Sequence, residues 1–334
     1  MTNIHPKLPL IDLHRHLDGS VRLQTILDLG REHNLPLPAW ELDTLRPHVQ
    51  VQEVQPGLME FIARFKWMVG VLVNYAAAER IAYENLLDAH AEGIDYIELR
   101  FSPAFMASAH GLDAAELCAA VAEGVRRGVA DTGVKANLIG IISRHNGAEQ
   151  GIAELQALLA NKQHFVALDL AGDEGNFPGS LFVEHFRLAR EAGWHITVHA
   201  GEAAGAESIW QAVRELGATR IGHGVRAHDD PALIEYLVEH RIGVEANLTS
   251  NVQTSTVPNY AAHPLKAQLE AGVLGTINSD DPGISAITLP YEYDVAAPQA
   301  GLTLEQIHQA QRNALELAFL PDSEKAELLH TKEA

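Results

Sequence analysis

Two histidines one residue apart, His14 and His16, close the apolar run Leu10-Ile11-Asp12-Leu13. Strand side chains alternate faces, so both imidazoles point one way and Arg15 points the other. Two imidazoles on one face are half of a metal site. Further runs of the same kind carry the rest. Trp194-His195-Ile196-Thr197-Val198 leads into His199, with Glu202 three residues on; Ile221-Gly222 leads into His223; Asn278-Ser279 leads into Asp280 and Asp281. Any one of these groups is well explained as a cap or a satisfied core residue. Four strand ends delivering imidazoles and carboxylates together are not, because such groups are costly to bury alone and one cation compensates them all. Three His and one Asp without Cys suit Zn²⁺ with a position open for water, whose pKa such an ion lowers to about 7. Glu202 is then the candidate general acid, and His223 the group that orients or deprotonates the water. Asp280 and Asp281 point to opposite sides if the strand continues, so one of them is the ligand. Their closeness raises one pKa unless the cation holds the other ionised.

Such residues need a scaffold that brings distant strand ends to one face. Short apolar, β-branched runs recur at Leu10–His14, Tyr96–Phe101, Ala136–Ile142, Val166–Leu170, His195–His199, Arg220–Gly222, Ile242–Ala246 and Val273–Asn278. Segments of helical period separate them, several with clear starts: Asp113 with Glu116 three later, and Asp230 before Pro231. Strand–helix alternation through eight units predicts an α/β fold, a (β/α)8 TIM-type barrel forming one domain over residues 1–334. Two additions stand out. A helical insertion after strand 1, about 36–78, holds the apolar run Leu58–Val73, which is either a packing helix or a lid over the barrel mouth. After the eighth strand, Leu304–Leu317 and Asp322–His330 read as extra C-terminal helices.

Composition narrows the partners. The 334 residues are 47% hydrophobic and 20% charged, which excludes disordered, collagen-like and coiled-coil chains. Asp and Glu number 44 against 24 Lys and Arg, a formal charge of -20 that repels phosphate backbones and anionic lipid. Neither nucleic acid nor a membrane surface is expected. A single cysteine, Cys118, excludes a disulfide framework and a CxxC metal site, and its helical context predicts a buried apolar role. No apolar run is long enough to span a bilayer and no signal-peptide pattern opens the chain, so a cytoplasmic location is expected. Oligomeric state is not set by any pattern here.

Taken in order, His14-Arg15-His16-Leu17-Asp18-Gly19, Asp169-Leu170-Ala171-Gly172-Asp173-Glu174, His199-Ala200-Gly201-Glu202, Gly222-His223-Gly224, Leu248-Thr249-Ser250-Asn251 and Ser279-Asp280-Asp281-Pro282 resemble the motifs of the adenosine deaminase family of metal-dependent barrel hydrolases. The resemblance spans essentially the whole chain. It implies hydrolytic deamination of adenosine, and of 2′-deoxyadenosine, with one Zn²⁺ held by His14, His16, His199 and Asp280. By the same resemblance Glu202 protonates N1 of the purine, His223 assists the attacking water and Asp281 hydrogen-bonds N7. The Gly172 backbone meets N3, and Asp18, beside His16, holds the ribose 5′-hydroxyl. Three departures accompany it. Arg15 replaces a common Val but faces away, while Asn247 and Thr276 replace Cys and Ser or Ala and are expected to touch packing rather than ligands.

Competing readings have specific signatures. An adenine deaminase of this fold tends to carry Ile-Glu-Gly after the second histidine, where this chain has Leu17-Asp18-Gly19. A two-metal amidohydrolase wants a strand-four lysine, and a Schiff-base barrel wants a strand-end lysine; no lysine falls at those places. A catalytically silent nucleoside-binding relative would lack Glu202 or a ligand, and none is missing. Asp18 also has a plainer reading, as a cap of the turn that follows it. The ligand set predicts one tightly held divalent ion per chain. Elemental analysis of protein purified without added metal checks this, and two ions per chain, or full activity with none, contradicts it.

Overall fold

A computed structural model describes residues 2–333. Eight strands form: β1 (Ile11–His16), β2 (Tyr96–Phe101), β3 (Lys135–Ser143), β4 (Phe165–Ala171), β5 (His195–Ala200), β6 (Arg220–His223), β7 (Gly243–Ala246) and β8 (Leu274–Ile277). Each pairs in parallel with the next in sequence, with helices between. The fold is the expected (β/α)8 barrel. Its last seam is closed by a site residue. Asp280 bridges to β1, its N–H donating to the His14 carbonyl at 2.8 Å and its carbonyl accepting from His16 N–H at 2.7 Å. β1 therefore runs two residues beyond the expected end, because Asp280 extends the ladder there.

Strand side chains divide between two cores. On β2, Ile97, Leu99 and Phe101 join the main apolar core with the surrounding helices, while Glu98 and Arg100 reach across the barrel interior. Asp113 and Asp230 cap their helices as expected, each accepting from two backbone N–H groups at the helix start. Cys118 is buried. The C-terminal helices form at Leu304–Leu317 and Asp322–Glu333. The first lies over the seam, where Asn313 donates to the Gly275 carbonyl at 2.9 Å.

Leu58–Val73 is not one helix. It breaks into Leu58–Ile62, a 3-10 turn at Ala63–Phe65 and Lys66–Val69. Met68 and Val69 pack inward, whereas Phe61, Ile62 and Phe65 line the cavity at the barrel mouth. Leu23–Glu32, Leu42–Val49 and Pro103–Ser108 are also helical, the second of them within the expected insertion. They are short, and Gly30 and Pro47 interrupt the helical signal of the first two.

The two ends of the barrel interior do different work. Toward its base, Glu98 accepts from Arg220, from Tyr96 O–H at 2.8 Å and from Phe319 N–H at 2.7 Å, all buried. Removing one partner of a buried ion pair costs about 3–5 kcal/mol where the other is left uncompensated; Arg220 keeps Glu245 at 2.6 Å, so about 3 kcal/mol is expected here. Glu98→Ala is expected to lower unfolding free energy by that amount in guanidinium titration while turnover per folded molecule is retained. Loss of turnover in the folded variant contradicts this division of base from mouth.

Candidate active site

The ends of β1, β5 and β6 and the turn after β8 meet at one point. His14 Nε2 and His16 Nε2 lie 3.2 and 3.4 Å from Asp280 Oδ1, and His16 Nε2 lies 3.2 Å from His199 Nε2. His223 faces the same point: ligand atoms of His14, His199, His223 and Asp280 all lie within 4.8 Å of one another. Four imidazoles and a carboxylate thus surround a space where four ligands are expected. His223 and Asp280 carry left-handed backbone, with φ of 62° and 60°. Non-glycine residues hold such conformations at a cost of roughly 1–3 kcal/mol, and they concentrate at functional sites.

The far nitrogens of two imidazoles are held from behind. His14 Nδ1–H donates to Glu245 Oε2 at 2.8 Å and His199 Nδ1–H to Asp169 Oδ2 at 2.9 Å. Arg100 binds both carboxylates, Nη1 donating to Asp169 at 2.9 Å and Nη2 to Glu245 at 2.8 Å. Burial alone would raise Asp169 and Glu245. His199 and Arg100 instead hold Asp169 well below the carboxylate range, and Arg100 and Arg220 do the same for Glu245. Burial lowers His199 to about 4 despite Asp169 beside it, so it is a neutral imidazole. This pattern leaves the Nε2 lone pairs of His14 and His199 facing the mouth.

A divalent cation fits this donor set. His14 Nε2, Asp18 Oδ1 and Asp281 Oδ1 are buried here without a hydrogen-bond partner among the described residues, and unpaired buried groups are costly. His14 Nε2 moreover presents a lone pair to a carboxylate oxygen, a repulsion that a cation between them removes. Burial disfavours charge on His16, yet Asp281, Asp18 and Asp280 together outweigh it and raise its pKa to about 9. The site demands positive charge, supplied by a proton or a metal. Imidazoles with one carboxylate and no thiolate match Zn²⁺ or a similar borderline ion.

Burial raises Glu202 well above the carboxylate range, reinforced by Asp280, Glu174 and Asp281, so in the absence of metal its carboxyl holds a proton. His223 Nε2 stands 3.6 Å from its Oε2. The adjacent aspartates split. Asp280 is held low by His223 and His14 against its own burial, and Asp281 is pushed up by burial and by Asp280. Glu174, the last residue of the Asp169–Glu174 motif, fixes a neighbouring loop. Its carboxylate accepts from the N–H groups of Gly201, Glu202, Ala203 and Ala204 at 2.6, 3.1, 2.7 and 3.0 Å, fixing the loop that carries Glu202.

The cavity over this point has two lobes that share His16, Phe65 and Gly172. One is lined by His199, Glu202, His223, Asp280 and Asp281, the other by Asp18, Ser102, Phe105, Ser143 and His145. No backbone N–H among the described residues donates to Asp18, whose Oδ1 lies 3.6 Å from His16 Nδ1, so the capping role is not what holds it. Gly172 has φ 106°, and a Cβ there would stand 2.6 Å from His145 Nδ1. Gly19 passes so close that a Cβ would overlap the Asp281 carboxylate. Arg15 faces away as expected, paired with Glu92 at 2.9 Å. Asn247 corrects its expectation: rather than serving packing alone, its Nδ2 lies 3.3 Å from His223 Nδ1. Thr276 is a packing residue, donating to the Val244 carbonyl.

Known proteins share this arrangement of chain. The sequence model of the family described as Adenosine deaminase matches residues 9–333. Adenosine deaminases of Klebsiella pneumoniae and Vibrio cholerae are 60% and 58% identical over 326 residues, covering 98% of both chains in each case. Among solved structures, an adenine deaminase from Arthrobacter aurescens superposes with a TM-score of 0.90 at 25% identity, covering 98% of each chain. An amidohydrolase from Burkholderia ambifaria with bound Zn gives 0.87 at 26% identity, covering 98% of this chain and 90% of that one. Arabidopsis N6-mAMP deaminase gives 0.83 at 25% identity, covering 98% of each. On sequence along the whole chain and on fold, the protein belongs to the adenosine deaminase family.

Proposed function

We propose that the protein is a cytoplasmic, zinc-dependent adenosine deaminase that converts adenosine and 2′-deoxyadenosine to inosine or 2′-deoxyinosine and ammonia. The two-lobed cavity carries this reading. A free base needs only the lobe with Glu202 and Asp281; the second lobe, largely apolar but carrying Asp18, Ser102, Ser143 and His145, has room and hydrogen-bonding groups for a sugar. Identity of about 60% to named adenosine deaminases, against 25% to an adenine deaminase, favours the nucleoside. A single buried cysteine suits a reducing compartment. No helix among the described residues is long and apolar enough to cross a membrane.

In this reading His14, His16, His199 and Asp280 hold one Zn²⁺, which when bound makes a water nucleophilic at neutral pH. Glu202 keeps its proton in the resting site and gives it to purine N1 as the water oxygen adds at C6. Without that proton the aromatic ring resists addition, because the ring nitrogen must take up charge as the carbon becomes tetrahedral. His223 assists the attacking water. As the oxygen becomes the C6 carbonyl, one of the two water protons leaves with the amino nitrogen as ammonia and the other restores the Glu202 carboxyl. Asp281 holds N7, the Gly172 backbone meets N3, and Asp18 holds the 5′-hydroxyl. The whole chain is one barrel domain, and the 36–78 insertion acts as its lid, with Phe61, Ile62 and Phe65 set over the bound ring.

Loss of adenosine absorbance, with adenine run in parallel, tests the reaction; turnover of adenine alone contradicts it. Glu202→Gln keeps size and hydrogen bonding but has no acidic proton, so kcat is expected to fall by roughly 10²–10⁴-fold with metal content unchanged. Near-normal kcat in the metal-loaded variant removes Glu202 from the proton transfer. Asp18→Ala is expected to lower kcat/KM for adenosine by about 1–3 kcal/mol with metal content unchanged. Kinetics identical to the parent enzyme would take Asp18 out of the sugar contact.

A further inference from the structure

Behind His223 runs a chain of hydrogen bonds that no part of the reaction uses. His223 Nδ1 meets Asn251 Nδ2 at 2.9 Å and Asn247 Nδ2 at 3.3 Å. Asn251 Oδ1 meets His263 Nε2 at 3.1 Å, and His263 Nδ1 meets the backbone N–H of Leu265 at 3.2 Å. His223, Asn251 and His263 are buried. Each side-chain member could in isolation be turned round or hold its proton on the other nitrogen. The last member cannot, because a backbone N–H only donates.

That end fixes everything before it. Leu265 N–H follows Pro264 at a helix start and has no carbonyl to bond, so it donates to His263 Nδ1. His263 Nδ1 is then the acceptor and Nε2 carries the proton. Burial supports a neutral ring here, pushing His263 down to about 3. Nε2–H donates to Asn251 Oδ1, which sets that amide with its NH₂ toward His223. The NH₂ donates to His223 Nδ1, and in a neutral imidazole the proton then sits on Nε2, the atom that faces Glu202 and Asp280. Reversing the order would set two donors against each other at 2.9, 3.1 or 3.2 Å. The contrast with the ligands is direct: His14 and His199 face carboxylates at Nδ1 and so present bare Nε2 atoms.

We propose that Asn251 and His263 are positioning residues that hold His223 with its proton on Nε2, so that it faces the reacting centre as a hydrogen-bond donor. It then neither completes the metal shell nor removes a proton from the attacking water; it orients that water by donating to its oxygen. The metal shell keeps His16, although His223 is as close to the common point. The inference rests on the proposed reaction for what His223 does, but the tautomer stands on the hydrogen bonds alone.

Long-range ¹H–¹⁵N correlation on histidine-labelled, zinc-loaded protein reads the tautomer without substrate, with His223 assigned by loss of its signals in His223→Gln. The expected spectrum has a protonated Nε2 and an unprotonated Nδ1. A bare or metal-bound Nε2 overturns the proposal, and this arm decides it even where a variant fails to fold. In Asn251→Asp the carboxylate accepts at Nδ1, so the proton is expected to move there and kcat to fall by about 10–100-fold, as for other residues that orient an active-site imidazole. A proton that stays on Nε2 in Asn251→Asp overturns the role of Asn251. His263→Gln retains a donor toward Asn251 and is expected to keep more activity than His263→Phe; equal losses overturn the role of His263. A protonated Nε2 in a protein that does not deaminate adenosine would contradict the proposed function and leave the tautomer in place.

Discussion

The guanidinium of Arg100 holds the mouth of this barrel in order. It is fully buried and binds Asp169 on one side and Glu245 on the other. Each carboxylate then accepts a hydrogen bond from the Nδ1–H of one histidine, His199 or His14. Two strands far apart in sequence are thereby tied to the rings they orient. Taking three charges out of water is unfavourable unless each is paired and hydrogen-bonded, and here every one is. The arrangement is a weak source of net stability and a strong source of geometry. It decides which nitrogen of each ring looks at the site.

The seam of the barrel serves the same end. Asp280 closes β8 onto β1 through its own backbone, bonded to the backbones of His14 and His16, the two residues whose rings it faces. The residue that closes the sheet also supplies the carboxylate of the site. The left-handed backbone at His223 and Asp280 lies where the strands end and the side chains turn into the mouth. At the mouth, His14 Nε2, Asp18 Oδ1 and Asp281 Oδ1 are buried without a hydrogen-bond partner among the described residues, where a ligand with donors or positive charge would meet them.

Much of this is legible in the residues. His14 and His16 two apart on an apolar run, and His199, His223, Asp280 and Asp281 at other strand ends, need only strand alternation and a parallel barrel to converge. The supporting residues are harder to read. Glu245 and Arg100 appear as charges inside apolar strands, 145 residues apart, and no spacing rule pairs them. Asn251 and His263 lie on a short helix and beside a turn, and their relation to His223 exists only after folding. Asn247, standing where the family commonly has Cys, reads as a packing change, whereas its amide meets His223 across the strand end. The apolar run at Leu58–Val73 has helical composition throughout, yet it tightens into a 3-10 turn at Ala63–Phe65, and Phe61 and Phe65 line the cavity. Hydropathy records that these residues are buried, not what they cover.

In the proposed reaction, five candidate ligands divide into four that hold the metal and one, His223, that faces the substrate. Anomalous diffraction at the zinc edge, on crystals of the protein as purified, locates the ion among them directly. The expected map has one peak, within about 2.0–2.2 Å of nitrogen atoms of His14, His16 and His199 and of an Asp280 oxygen, with His223 Nε2 outside bonding distance. A peak bonded to His223 in place of His16, or a second peak at the mouth, would contradict it.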